Sequence, residues 1–277
     1  MALFGKLFEK KACSVCGGEI GMLGNRKLAD GNLCKACANK LSPWFEDRRE
    51  STVAQIEEQL AYREANKEKV AAFNITRTLG NYTKVLLDED AGVFMVTSEQ
   101  NLEEANPDVL AFTDVTGCEF KIDEREDEIK YRDNEGNYRS YNPPRYRYSY
   151  DFHIIIQVRN PYFDDICFDL NTFSVDINPY RGMPEGPSAN RVGSMGRMMG
   201  SMMSRGSFNP ETDPDYRKFL TMGEEIKEAL MTNRKQARDG MAAAAAPKMA
   251  TTCPWCGATT TPDASGRCEY CGGSVNG

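Results

Sequence analysis

From Tyr146 to Val158 every second residue is large and apolar or aromatic. Tyr146, Tyr148, Tyr150, Phe152, Ile154, Ile156 and Val158 fall on one side, and Arg147, Ser149, Asp151, His153, Ile155 and Gln157 on the other. A period of two predicts a half-buried antiparallel strand, because successive side chains of a strand point to opposite faces. Ile166, Phe168 and Leu170 resume the alternation after a turn at Asn160-Pro161. Shorter runs predict strands at 84–87, 93–96, 109–112, 117–122 and 128–132, with turns at 88–92 and 133–136. The period then lengthens. Tyr216, Phe219, Leu220, Gly223, Ile226 and Leu230 share one stripe of a helix over 214–236, with Asp213 as its cap and Pro214 in its first position. A second helix is predicted over 52–72, where Thr52 and Gln55 can form a capping box and Val53, Ile56 and Leu60 recur on one face.

About seven antiparallel strands followed by one helix resemble the layout of a pleckstrin-homology-type barrel. The analogy rests on element order alone, and a fold does not assign a function. The expected class is therefore α+β and multidomain, with small modules at both ends of this β domain.

Cysteine defines those modules. Cys13, Cys16, Cys34 and Cys37 are spaced C-x2-C-x17-C-x2-C, and Cys253, Cys256, Cys268 and Cys271 are spaced C-x2-C-x11-C-x2-C. Two residues between ligands let one tight turn aim both sulfurs at one ion, so each set suits a tetrahedral Zn²⁺ held by four thiolates. Four protein ligands leave no open position, which marks both zincs as structural. Disulfides could use the same cysteines in an exported protein, but residues 1–11 lack a secretory signal core, so a reducing cytoplasm and zinc are expected. Cys118 and Cys167 have no paired neighbour and read as packing thiols.

At the first site the order is knuckle, hairpin with an Asp30-Gly31 turn, then a helix carrying Cys34 and Cys37, which is the layout of a treble-clef finger. Ser42-Pro43 has the chemistry of a further short helix start, bringing Trp44 and Phe45. Cys13-Ser14-Val15-Cys16-Gly17, Gly24-Asn25-Arg26-Lys27-Leu28, Asp30-Gly31-Asn32-Leu33-Cys34, Leu41-Ser42-Pro43 and Asp47-Arg48-Arg49-Glu50-Ser51-Thr52 together resemble a bacterial domain of unknown function, over roughly residues 10–78. That family opens many bacterial proteins and is regarded as a zinc finger. The resemblance implies zinc at Cys13, Cys16, Cys34 and Cys37, and it implies no activity.

The expected organisation is a four-cysteine zinc finger over 1–47, a connector helix over 48–78, and a barrel-like β domain over 79–236 with an insertion at 181–212. An alanine-rich linker over 237–251 and a zinc ribbon over 252–277 complete it. The core of the insertion, 188–207, holds five methionines, four glycines, three arginines and no acid. It reads as a loop, or as a segment that orders against an apolar, anionic surface. Leu3, Phe4, Leu7 and Phe8, with Lys6, Lys10 and Lys11, suggest a second peripheral contact with an anionic membrane. The ribbon is too small for a core of its own, so metal must supply most of its folding energy.

Charge narrows the function classes. The formal net charge is -7, and loading two four-thiolate sites moves it to about -11, which argues against a protein that coats nucleic acid. His153 is the only histidine, which leaves no histidine triad or histidine-based metal centre. No run approaches a membrane span. The leading expectation is a non-enzymatic zinc-binding adaptor for an unidentified protein partner. A nucleic-acid-binding zinc finger is the alternative, since residues 1–40 carry seven basic and three acidic side chains. A thiol redox enzyme comes third, because a redox C-x-x-C ordinarily stands alone.

Overall fold

The computed structural model describes residues 11–21, 23–183, 185–186, 208–245, 250–263 and 265–275. The stretch expected to meet a membrane, apart from Lys11, and most of the 181–212 insertion lie outside these residues. Two compact units emerge, Met1–Arg234 and Lys235–Gly277.

The first unit begins with two minimal hairpins. Strand β1 (Lys11–Ala12) pairs with β2 (Glu19–Ile20), and β3 (Arg26–Lys27) with β4 (Asn32–Leu33). The expected Asp30-Gly31 turn is present, closed by Leu28 N–H on the Gly31 carbonyl at 2.9 Å. A Cβ at Gly31 would lie 2.6 Å from Ser14 Oγ and 2.7 Å from Val53, so only glycine lets this turn lie so close to the knuckle and the following helix. Helix α1 (Lys35–Ala38) follows, capped by Cys34. No helix starts at Ser42-Pro43, contrary to the sequence expectation. Ser42 is buried and donates to Asp108 Oδ2 at 2.8 Å, which spends its hydroxyl on a distant segment, and the chain turns before a 3-10 turn at Asp47–Arg49.

Helix α2 (Val53–Ala72) has the predicted capping box between Thr52 and Gln55. Its ends belong to different cores. Ile56 packs with Leu28, Leu33 and Leu41 of the finger, whereas Val70 packs with Leu86, Met95 and Val109. Between them the same face is polar and still buried. Arg63 reaches Asp108 Oδ1 at 2.8 Å and donates from Nε to the Lys40 carbonyl at 3.2 Å. Asn66 donates to Asn106 Oδ1 at 2.8 Å and the Pro107 carbonyl at 2.7 Å, and accepts from Val109 N–H at 3.0 Å. Asn106 returns a bond to the Arg63 carbonyl at 2.7 Å, from a left-handed cap (φ 49°) that ends helix α3 (Leu102–Ala105). Asparagine tolerates that conformation better than most residues. The finger is thus joined to the strands by a buried polar seam, and does not hang as an isolated bead.

Burial pushes the Asp108 carboxyl above the usual range, while Arg63 and Ser42 pull it back. An acid whose pKa is raised on folding loses stability as pH climbs from its unfolded value toward its folded one. The pair therefore fixes geometry at a net electrostatic cost, as buried ion pairs commonly do.

The strands do not form the expected closed barrel. Strands β5 (Arg77–Gly80), β6 (Lys84–Asp88), β7 (Val93–Thr97) and β8 (Leu110–Ala111) make one sheet in chain order. Strands β9 (Val115–Arg132), β10 (Tyr138–Val158), β11 (Asp165–Asp169) and β12 (Val175–Ile177) make another, and among the described residues no strand of one pairs with the other. Strand β10 is central in its sheet, with β9 along one edge and β11 and β12 sharing the other.

The expected strands at 117–122 and 128–132 are one strand, because the charged residues between them stay exposed and cost it nothing in burial. Within 117–157 the β9–β10 ladder breaks only between Ser140 and Arg145. Pro143 and Pro144 have no N–H to give there. The alternation read over 146–158 matches the burial of Tyr150, Phe152, Ile154, Ile156 and Val158.

Helix α4 (Pro214–Ala245) covers that apolar face and extends nine residues past the predicted end at 236. Alanine propagates a helix better than any other residue, so the run at 242–245 continues it where a linker was expected. Tyr216 meets Tyr150 and Phe152 edge-on, at 4.8 and 5.2 Å between ring centroids. Gly223 lies against Phe120, where a Cβ would come within 2.2 Å of the ring.

This packing sets two expectations. Arg63→Met leaves Asp108 buried without its cation and should lower the stability of the first unit by about 3–5 kcal/mol. Adding Asp108→Leu should recover most of that loss, and denaturant midpoints of the wild type, both single variants and the double variant measure the coupling. Gly223→Ala should cost about 1–3 kcal/mol through overpacking, although alanine is the better helix former, and thermal unfolding will show the sign.

Candidate metal centres

One local structure recurs three times. In each case a cysteine N–H bonds forward to the carbonyl five residues on, and the residue after the second cysteine bonds back. Cys13 N–H meets the Gly18 carbonyl at 2.8 Å, and Gly17 N–H meets the Cys13 carbonyl at 2.8 Å. Cys253 pairs in the same way with Ala258 and Gly257, at 2.9 Å for each bond, and Cys268 with Gly273 and Gly272, at 2.9 and 2.8 Å. Gly17, Gly257 and Gly272 have φ of 71°, 72° and 70°, the left-handed conformation this turn needs. The fourth pair is different. Cys34 caps α1, and its Sγ accepts Cys37 N–H at 3.3 Å. The first site is therefore built from a knuckle and a helix start, and the second from two knuckles.

All eight cysteines predicted as ligands fall into two clusters of four. Within each cluster every Sγ lies within 4.8 Å of the others. Cys16 and Cys34 sulfurs are 3.8 Å apart, Cys253 and Cys271 3.6 Å, and Cys256 and Cys268 3.8 Å. A tetrahedron with metal–sulfur bonds of about 2.3 Å has edges of about 3.8 Å, whereas a disulfide needs about 2.05 Å. All ten cysteines are free, and the donor set fits a four-coordinate, thiolate-binding metal such as zinc.

Electrostatics also favour a cation at each cluster. Burial opposes ionisation of Cys13, yet the backbone N–H groups of Cys16, Cys34 and Val15 draw its thiol down to about 6. Cys37 moves the other way, pushed far up by burial and by the neighbouring thiols of Cys34, Cys16 and Cys13. In the second cluster burial again opposes ionisation of Cys268, but the N–H groups of Cys271 and Tyr270 bring it to about 6. Cys271 gains from the Gly273 N–H, yet its contacts with Cys256 and Cys253 push it up to about 12. Cys13 in the first cluster, and Cys253 with Cys268 in the second, are thus drawn toward the thiolate, whereas Cys37 and Cys271 need a cation to ionise.

The second unit also displays two aromatics. Strand β13 (Thr251–Thr252) pairs with β14 (Thr259–Thr260) beside the first knuckle. Trp255 and Tyr270 stand at corresponding positions, just before the second cysteine of each knuckle, and both are exposed. Trp255 Nε1 donates to the Ser274 carbonyl at 3.0 Å, and its ring lies so close to Gly273 that a Cβ there would come within 2.7 Å.

The remaining chemistry-bearing residues lie apart from the clusters. Cys118 is buried, and burial raises its thiol to about 11. Cys167 is exposed, not a packing thiol, because its register opposite Ile155 puts it on the open face of the sheet. His153 lies on that face as predicted. It is bracketed by Asp169, 2.7 Å from Nδ1, and Asp123, 3.3 Å from Nε2. The carboxylates sit on opposite ring nitrogens, an arrangement that cross-braces three strands. Alternation placed His153 on the polar face, but the register that brings in both aspartates could not be read from it.

A family model described as a domain of unknown function (DUF4428) matches residues 11–59, which span the whole first cluster and the capping box of α2. No curated protein and no solved structure matches the chain.

Metal loading supplies the test of these centres. Protein purified without added metal should carry two equivalents of zinc per chain, and Cys268→Ser should reduce this to one. Protons compete with the metal for thiolates, so acidification below about pH 6 should release it. In the metal-free chain, the stability from Cys13 ionisation is present above its unfolded value of 9.0 and is lost as pH falls to about 6. Metal analysis with a colorimetric chelator follows the loading and the acid release.

Proposed function

We propose that the chain is a non-enzymatic cytoplasmic adaptor whose two zinc centres are structural, one in a treble-clef-like finger and the other in a C-terminal zinc ribbon. The observation that carries this reading is the closure of both clusters. Each has four protein thiols at tetrahedral spacing, with no position for water or substrate. Metal chemistry on a substrate needs such a position. Exposed Trp255 and Tyr270 support a binding role, because aromatics are over-represented at protein interfaces and are costly to leave in water. The formal charge of -7 favours a protein partner over nucleic acid. No described helix is long and apolar enough to cross a membrane.

Cross-linking of the zinc-loaded protein in extracts, followed by mass spectrometry, tests the proposal. Protein cross-links should survive nuclease, and a Trp255→Ala, Tyr270→Ala variant that keeps both zincs should lose at least about fivefold of those at the second unit. Nuclease-sensitive capture, with affinity falling steeply with salt, would replace the adaptor by a nucleic-acid binder.

A further inference from the structure

The outer edge of β9 is long and open. Strand β9 runs for 18 residues and pairs only with β10 among the described residues. Its register against β10 is continuous from Gly117 to Ile129. In an antiparallel pair alternate residues point their N–H and C=O away from the partner, so about half of β9 presents backbone groups on its far side. Such an edge is a template for another strand, and proteins normally keep it short, bulged, or guarded by charge.

The guard here has one sign. Residues 123–128 read Asp-Glu-Arg-Glu-Asp-Glu, five acids and one base. Pairing opposite Phe152 and Ile154 puts Ile122 and Phe120 on the face covered by α4, so Glu124 and Glu128 continue that face while Asp123 and Asp127 lie on the open one. On the open face Asp123 is already held by His153 and Asp127 by Arg147, at 3.3 and 3.6 Å, so the acidic excess lies on the α4 face, where Glu124, Glu126 and Glu128 stand beside the one base Lys130. The single base of 123–128 lies across the open face, where Arg125 bonds to Asp151 Oδ2 and Ser174 Oγ, each at 2.9 Å.

Like charges directly opposite one another destabilise a strand pair, and opposite charges stabilise it. A second copy of β9 would set acids against acids, and a nucleic-acid backbone would meet the same repulsion. A segment with lysine or arginine at alternate positions would meet complementary charge on the α4 face and a row of backbone donors and acceptors along the edge.

We infer that β9 is a docking edge for an extended, basic peptide segment, which adds as a further strand alongside residues 117–129 with its cations against Glu124 and Glu128 on the α4 face. Backbone bonds supply the pairing, and the acidic run supplies the selection. The inference rests on the adaptor reading and gives that adaptor a surface and a partner chemistry.

The test uses the full-length zinc-loaded protein and a fluorescent ten-residue peptide of alternating lysine and valine. Anisotropy should show binding at least about tenfold tighter than for a glutamate–valine peptide, weakening as salt screens the charges. Hydrogen exchange should slow at outward-facing amides of 117–129. A Glu124→Gln, Glu128→Gln variant should bind about tenfold more weakly while keeping its unfolding midpoint. A peptide N-methylated at alternate residues keeps its charge but cannot complete the ladder, so it should lose most of the affinity, whether or not the variant folds.

No binding of the lysine–valine peptide would overturn the inference. Equal binding of the N-methylated peptide, or no protection in β9, would also overturn it by reducing the edge to a diffuse charge patch. Oligothymidylate bound at this edge, or dimerisation through β9, would overturn it as well. The two readings fail separately. Nuclease-resistant partner cross-links confined to other surfaces, with β9 unprotected by the peptide, would sink the edge and leave the adaptor. Protection of β9 without any protein partner in extracts would do the reverse.

Discussion

Asp108 is buried with its carboxylate between Arg63 and Ser42, each at 2.8 Å, and this contact governs how the first unit is joined. Three distant segments meet there: the end of the finger, the middle of α2, and the loop leading into β8. A carboxylate so buried is costly unless it is paired and hydrogen-bonded. The cost also makes alternatives expensive, because a slip of α2 by one residue would strand Arg63, Asn66 and Asp108 without partners. Hydrophobic packing at the two ends of the helix stabilises the arrangement, and the polar seam selects its register.

The first cysteine cluster acts on this frame from one end. Cys13 and Cys37 are themselves part of the hydrophobic cluster that holds Ile56. Whatever holds the four sulfurs together therefore also seats the first turns of α2. In the second unit the buried hydrophobics among the described residues are Cys253 and Cys268, while Trp255 and Tyr270 are exposed, so the cysteines have more of the folding to do. Zinc sites of this kind contribute on the order of 10 kcal/mol, which exceeds what so few buried residues can supply.

Much of this was legible in the sequence where one rule acted alone. Cysteine spacing gave both four-thiol clusters, strict alternation gave β10 and its buried face, and Thr52 with Gln55 marked the start of α2. Less was legible where distant segments compete for one residue. Ser42 has the local chemistry of a helix cap, but Asp108 claims its hydroxyl. Gln59, Arg63 and Asn66 follow Ile56 at spacings of three and four, which was the available sign of a polar seam on the buried face. The partners of that seam lie some forty residues away, and periodicity carries no information about them. The barrel failed for a similar reason: counting strands does not determine which edges pair.

The central claim is that the first metal cluster and the strand-bearing part of the unit are mechanically one body, joined through α2. Hydrogen exchange on zinc-loaded wild type and on Cys16→Ser tests it directly. Loss of that ligand should accelerate exchange beyond the finger, through α2 at 56–66 and into the segment 105–109 that bonds to it. Acceleration confined to residues 11–41, with α2 and 105–109 unchanged, would contradict the claim.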